Sequence, residues 1–444
     1  MKRNRIKTVL CLLLACVLAL QLAACTGAKP NPTPASPSAE AGNPGKDPDK
    51  PAVVPVELKA VNLMANVTRN PAPVDSIEPD AAEAAADFAL RLFRAANEKD
   101  ENTLISPLSV LCALAMTANG ADGDTLAQME SVLGLPQEQL NGFFRSYLDA
   151  LSSDEQGCLK LANSVWFAER NGFTASPDFL QKLADVYDAD AYQAAFDDST
   201  LADINNWVKQ NTDGMIPEIL DQIPPEAVMY LINALAFDAK WAEPYHDYDV
   251  REGEFTAQNG EKRTVDFMYS EEGTYLEDDK AVGFVKYYEG GKYAFAALLP
   301  KEGITVEEYL NSMDAGELLQ LLSQPQSDTV FASMPKFETD YKVELSDVLK
   351  AMGMELPFNG SLADLHGLGA CEDNLYITRV LHRTYISVSE GGTRAAAATA
   401  VEIATEGAVE NPKVVDLNRP FVYMLIDCEN NLPFFIGTML DPAA

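Results

Sequence analysis

Histidine is scarce in this chain. It occurs three times in 444 residues, as His246, His366 and His382. So few imidazoles leave little material for general-base catalysis or a histidine-rich metal centre. HExxH, GxSxG, the P-loop pattern and GxGxxG are absent. That removes the sequence support for zinc proteases, serine esterases, nucleotide triphosphatases and dinucleotide enzymes. With 67 acidic residues, the occurrence of paired carboxylates carries no information. None of the seven cysteines forms a CxxC, and Cys112, Cys158, Cys371 and Cys428 lie far apart. This is the pattern of buried free thiols, not of a metal or redox site. No metal and no cofactor are expected. Positive charge is also short, with 33 Lys and Arg and a net charge of −34. Such a surface disfavours nucleic acid and anionic membranes; it suits solubility first, and basic proteins second.

The only run long enough to suggest targeting is VLCLLLACVLAL, behind the basic start MKRNRIK. It is short for a membrane span and fits a secretory signal. Leu22-Ala23-Ala24-Cys25 resembles a bacterial lipobox. Residues 1–24 are therefore expected to be a lipoprotein signal peptide, with Cys25 as the lipid-bearing residue. The protein is then expected to cross the bacterial cytoplasmic membrane and stay lipid-anchored at the cell surface or envelope. Thr26 after Cys25 gives no inner-membrane retention signal, so the leaflet stays open. Residues 25–79 read as a tether, rich in Pro, Ala and Ser at first. From residue 56 they become apolar enough to form an N-terminal extension.

Residues 80–444 alternate helix and strand patterns without an internal repeat. DAAEAAADFALRLFRAAN places Phe88, Leu92 and Ala96 on one face, with Asp80 as a candidate cap. ISPLSVLCALAMTANG is apolar nearly all round, so it is a buried helix. MYLINALAFDAKW, 229–241, is apolar on both faces, as a central covered strand requires. LYITRVLHRTYISVS, 375–389, is a second long strand.

That strand runs into the most unusual stretch, SEGGTRAAAATAVEIAT at 389–405. Alanine content alone favours helix. The alternation favours a strand: Thr393, Ala395, Ala397, Thr399, Val401, Ile403 and Thr405 share one face. Arg394, Ala396, Ala398, Ala400, Glu402, Ala404 and Glu406 share the other, which carries all the charges. Gly391 and Gly392 give the stretch a flexible base.

SEGGTRAAAATA resembles the hinge of the reactive-centre loop of serpins. NTLISPLSV (102–110), INNWVKQNTDGMI (204–216), LINALAFDAKW (231–241), MPKF (334–337) and VDLNRPFVYML (415–425) resemble serpin segments in the same order. The resemblance covers roughly residues 80–444. It implies one α+β domain with a large central sheet, two further sheets and eight or nine helices. It also implies a suicide-substrate inhibitor of serine endopeptidases, with cysteine endopeptidases as a further class. The protease cuts the loop, is held as an acyl-enzyme, and is carried along as the loop inserts into the main sheet. The chain is then not an enzyme, and a monomer is expected. The alternative is a non-inhibitory surface lipoprotein of the same fold, acting as a binding or structural protein. The alanine-rich hinge favours inhibition.

Several residues take roles only through this resemblance. The hinge is Glu390, Gly391, Gly392, Thr393, Arg394, Ala395, Ala396, Ala397, Ala398 and Thr399, with Thr393 entering first. Arg394 stands where the family commonly has an acid, on the outward parity. Ser106, Ser109, Asn233 and His382 match the shutter and are expected to form a closed hydrogen-bond network. Trp241, Lys336 and Glu390 match the breach at the top of the sheet. Counting from Glu390 puts the cut bond at Glu406-Gly407. Counting back from Pro420 puts it at Val409-Glu410, the loop being three residues longer than the common form. Glu406 suits a glutamyl-specific protease. Cuts at Thr405, Ala408 or Val409 suit elastase- or subtilisin-like enzymes.

Overall fold

The computed structural model of the chain describes residues 55–73, 76–152, 158–170, 172–393 and 412–443. Eight strands build the main sheet: Val61–Asn62 (β1), Leu159–Ala168 (β2), Asp190–Ala194 (β3), Met229–Phe237 (β4), Ala239–Lys240 (β5), Phe337–Glu344 (β6), Arg379–Ser389 (β7) and Gly392–Thr393 (β8). They run in the order β1-β3-β2-β4-β7-β8-β5, with β6 pairing on β7. β4 is buried at every position because both faces of the sheet are covered.

One face packs on the largest core. Helix α1 (Pro79–Ala96) supplies Phe88, Leu92 and Phe93, and α2 (Pro107–Ala118) is buried along its whole length. The other face packs on α3 (Asp198–Asn211): Ile204, Trp207 and Val208 meet Trp166, Tyr230, Ile232 and Leu381. Two further sheets, of six and four strands, and a ribbon of two two-residue strands complete the architecture. Nine α-helices occur among the described residues. This is the mixed α and β fold expected, with the main sheet as its centre.

Three local expectations are corrected. Asp80 is not the cap of α1. The helix starts at Pro79, Glu78 takes the cap position without a side-chain bond, and Asp80 sits in the first turn, where its charge favours the helix dipole. The central strand is interrupted at Asp238, whose N–H turns to the carbonyl of Cys158. β7 begins only at Arg379.

Residues from 55 onward lie along the domain. β1 forms the edge of the sheet and pairs with β3 through Val61–Gln193 and Asn62–Tyr192. The amides of Lys59 and Ala60 both donate to the buried carboxylate of Asp203 on α3, at 2.8 Å each. Leu58 and Ala60 pack on the same core as α3.

Candidate functional site

The main sheet is split between β4 and β7. The two strands pair in parallel only at the lower end, through Arg379–Tyr230, Val380–Leu231 and Leu381–Ile232. No ladder pair joins Asn233–Phe237 to His382–Ser387 among the described residues. At the upper end the chain turns back at Glu390 and Gly391, and β8 fills the split. Thr393 pairs with Val388 of β7 and with Ala239 of β5; Gly392 pairs with Ser389 and Lys240.

Only glycine fits at 392. Its φ is +151°, and a Cβ there would lie 2.1 Å from the carbonyl oxygen of Ala239. Thr393 is 1% exposed, and its hydroxyl is hydrogen-bonded to Tyr288 Oη. The residue expected to lead insertion is thus already seated in the sheet.

Beside the seat lies the breach group. Trp241 is buried, and its backbone N–H donates to Gly391 O at 3.0 Å. Its indole Nε1–H donates to Ser389 O at 2.9 Å, and its ring stacks on Tyr288 at 4.4 Å between centroids. Lys336 Nζ meets Glu390 Oε1 at 2.7 Å, both side chains about one-third exposed. Partial burial pushes the Glu390 carboxyl up, but the hydrogen bond and charge of Lys336, with a backbone donor, outweigh it. The carboxyl is held below its usual range.

Lower in the split, the four shutter residues fall into two separate hydrogen-bonded groups and not into the one closed network expected. Ser106 N–H donates to His382 Nε2 at 3.0 Å, and Ser109 Oγ donates to Ser106 O at 3.0 Å. Separately, Asn233 Nδ2 donates to Asn163 Oδ1, and Asn163 Nδ2 donates to Cys112 Sγ at 3.3 Å. Ser106 Oγ and Asn233 Oδ1 are buried without a partner among the described residues. Burial pushes the His382 imidazole down to about 4, so it is neutral. Burial also pushes the Cys112 thiol far up and the Cys428 thiol to about 12, so neither offers a thiolate.

Arg394, Ala395, Ala396, Ala397, Ala398, Thr399, Thr405, Glu406, Gly407, Ala408, Val409 and Cys25 lie outside the described residues. Two participants escaped the sequence reading. Asn163 is a buried amide in a strand whose following residues, Ser164 to Ala168, are buried too, and a buried amide needs a polar partner. Tyr288 follows another tyrosine before Gly290-Gly291, and nothing in that run says which ring points inward.

A family model described as Serpin (serine protease inhibitor) matches residues 83–442. The chain is a serpin. It is 30% identical over 374 residues to an uncharacterized serpin-like protein of Thermococcus kodakarensis, covering 82% of this chain and 86% of that one. It is 30% identical over 376 residues to a leukocyte elastase inhibitor of Equus caballus, covering 80% and 97%. It is similar to the crystal structure of a thermophilic serpin, tengpin, in the native state: TM-score 0.83, 46% identity, 86% of this chain and 100% of that one. Serpins as a family are protease inhibitors, and this serpin carries the split sheet and the seated hinge described above.

Proposed function

We propose that this serpin is a suicide-substrate inhibitor of serine endopeptidases. The observation that carries the reading is the register of β8. Gly392 and Thr393 already pair with both walls of the split. Continued downward at that register, Thr399 comes level with Asn233 on one side and His382 on the other. These are the walls whose polar atoms lack a common partner. Arg394 comes level with Asp238, and Glu402 with Arg379 and Tyr230. The walls agree with each other, because the observed pairing of Arg379 with Tyr230 sets the same level. Thr393, Ala395, Ala397 and Thr399 then face the core of α2, and small side chains suit that face.

In the reaction the protease serine attacks the carbonyl of Glu406. An ester bond forms, the Glu406-Gly407 peptide bond breaks, and the new amine leaves with residues 407–444. The freed strand enters the split and carries the acylated protease with it. The native state is held by a barrier rather than by depth, since insertion adds a ladder strand and buries Val401 and Ile403.

Mixing the protein with glutamyl-specific, elastase-like and subtilisin-like proteases tests this. The expected product is an SDS-stable adduct with release of a fragment from Gly407 to Ala444. A fragment starting at Val409 or Glu410 reassigns the bond and leaves the mechanism standing. The horse relative's name puts an elastase in the panel. Cleavage without adduct in every case overturns inhibition and leaves the non-inhibitory reading. We also propose lipid anchoring through Cys25; Cys25→Ala abolishes fatty-acid labelling if that is right, and persistent labelling refutes it.

A further inference from the structure

Behind the hinge seat lies a lysine that the inhibitory reading does not use. Lys286, in the strand Ala281–Tyr287, is 3% exposed. Its ammonium meets Glu272 Oε1 at 2.7 Å, and that side chain is 11% exposed. The two residues belong to different sheets: Glu272 ends the strand Lys262–Glu272 of the four-stranded sheet, and Lys286 belongs to the six-stranded one. Burying such a pair costs desolvation of both ions, and an apolar pair would often serve stability as well or better. Stability alone is therefore a weak reason for it.

The surroundings give a better one. The ammonium lies over the Tyr245 ring at 4.4 Å and over the Trp241 ring at 5.6 Å, within cation–π range. Those two residues hold the hinge turn: Tyr245 N–H donates to Glu390 O at 3.0 Å, and Trp241 donates to Gly391 O and Ser389 O. Trp241 also stacks on Tyr288, which bonds Thr393. One ammonium thus backs the rings of two residues that bond Ser389 through the indole and Glu390 and Gly391 through their backbone N–H groups, and that reach Thr393 through Tyr288. Tyr245 is further fixed by Ser270 Oγ, 3.3 Å from its hydroxyl.

We propose that Lys286, anchored by Glu272, is the positioning residue of the hinge seat. It fixes Trp241 and Tyr245 so that Gly392 and Thr393 stay docked before cleavage. The partly exposed pair Lys336–Glu390 holds the same turn from outside, where salt screens it more. The buried pair is shielded from salt. The inference rests on the hinge being the inhibitory element, but its first readout needs no protease.

That readout is amide hydrogen exchange of the full chain over Ser389–Thr393, compared with the neighbouring strand Tyr293–Pro300. Lys286→Met/Glu272→Met removes both ions and avoids stranding one. Glu272→Gln is a milder change that only loosens the anchor. In both, exchange over Ser389–Thr393 is expected to rise about tenfold, while Tyr293–Pro300 keeps its wild-type rate. Lys286→Arg, which keeps a cation against the rings, is expected to stay slow. Wild-type exchange at the hinge in both Glu272 variants overturns the proposal. So does an equal rise in both segments, which would mark a merely structural role. With a protease, the loosened variants are expected to give more cleaved product per adduct. A wild-type protein that forms no adduct counts against inhibition, and leaves the exchange result to judge Lys286.

Discussion

Lowering the pH tests the buried imidazole at the centre of the split. His382 is 3% exposed and accepts the Ser106 N–H through Nε2. Protonation would turn that acceptor into a donor facing a donor, in a site without water-like screening. Burial depresses its pKa from 6.5 to about 4. The unfolded chain therefore takes up the proton near pH 6.5, and the folded chain only near pH 4. Stability from this residue is complete above pH 6.5 and falls as pH falls through that window. Worked from those two values, the loss is about 2 kcal/mol at pH 5 and about 3 kcal/mol below pH 4. Urea unfolding at pH 7.5 and pH 5.0, on wild type and His382→Gln, isolates the effect, because all other titrating groups cancel in the difference. The wild type is expected to lose about 2 kcal/mol more than the variant. Equal losses would refute the argument and mean that the folded site accepts the proton.

Thr393→Arg puts a charge into a seat that is 1% exposed; adduct is expected to give way to cleaved product on a gel. Cutting the loop is expected to raise the melting temperature sharply, by calorimetry, because a strand is gained. Arg379→Glu is expected to lower adduct yield by facing Glu402 with a like charge, and Arg379→Glu/Glu402→Arg to recover it. Failure of the double variant to recover would refute the projected register.

The central strand was readable because it obeys local rules, and of the hinge only Gly392 and Thr393 lie in a described strand. Apolar residues on both parities of 229–237 require cover on both faces, and α2 and α3 supply it. Alternation through 393–405 separates charges from β-branched residues. The depth of the hinge in the resting protein was not readable. It depends on Tyr288, next to the six-stranded sheet, on Trp241 and Tyr245, in the segment that leaves β5, and on a steric fit at Gly392 that only the folded walls create. The pairing of the shutter residues was not readable. Asn233 turns to Asn163 because β2 lies directly beside β4, a neighbour that a pattern along one strand does not announce. Asp203 reads as one more polar residue on a surface helix. Its burial follows only from the amides of Lys59 and Ala60 that fold back onto it.

The close approach at residue 392 makes the split a measuring device. A ruler needs a zero mark, and the carbonyl of Ala239 provides one by rejecting any residue with a Cβ. A slip of two residues would keep the same faces but bring Arg394 or Glu390 to the mark, and both carry a Cβ. A slip of one could place Gly391 there, but it would turn Thr399 and Val401 to the α3 side and the charges of Arg394 and Glu402 into the core. In the insertion proposed above, depth is then counted in whole residues from a fixed origin. The distance from that origin to the cut bond becomes a length that the chain can set one residue at a time.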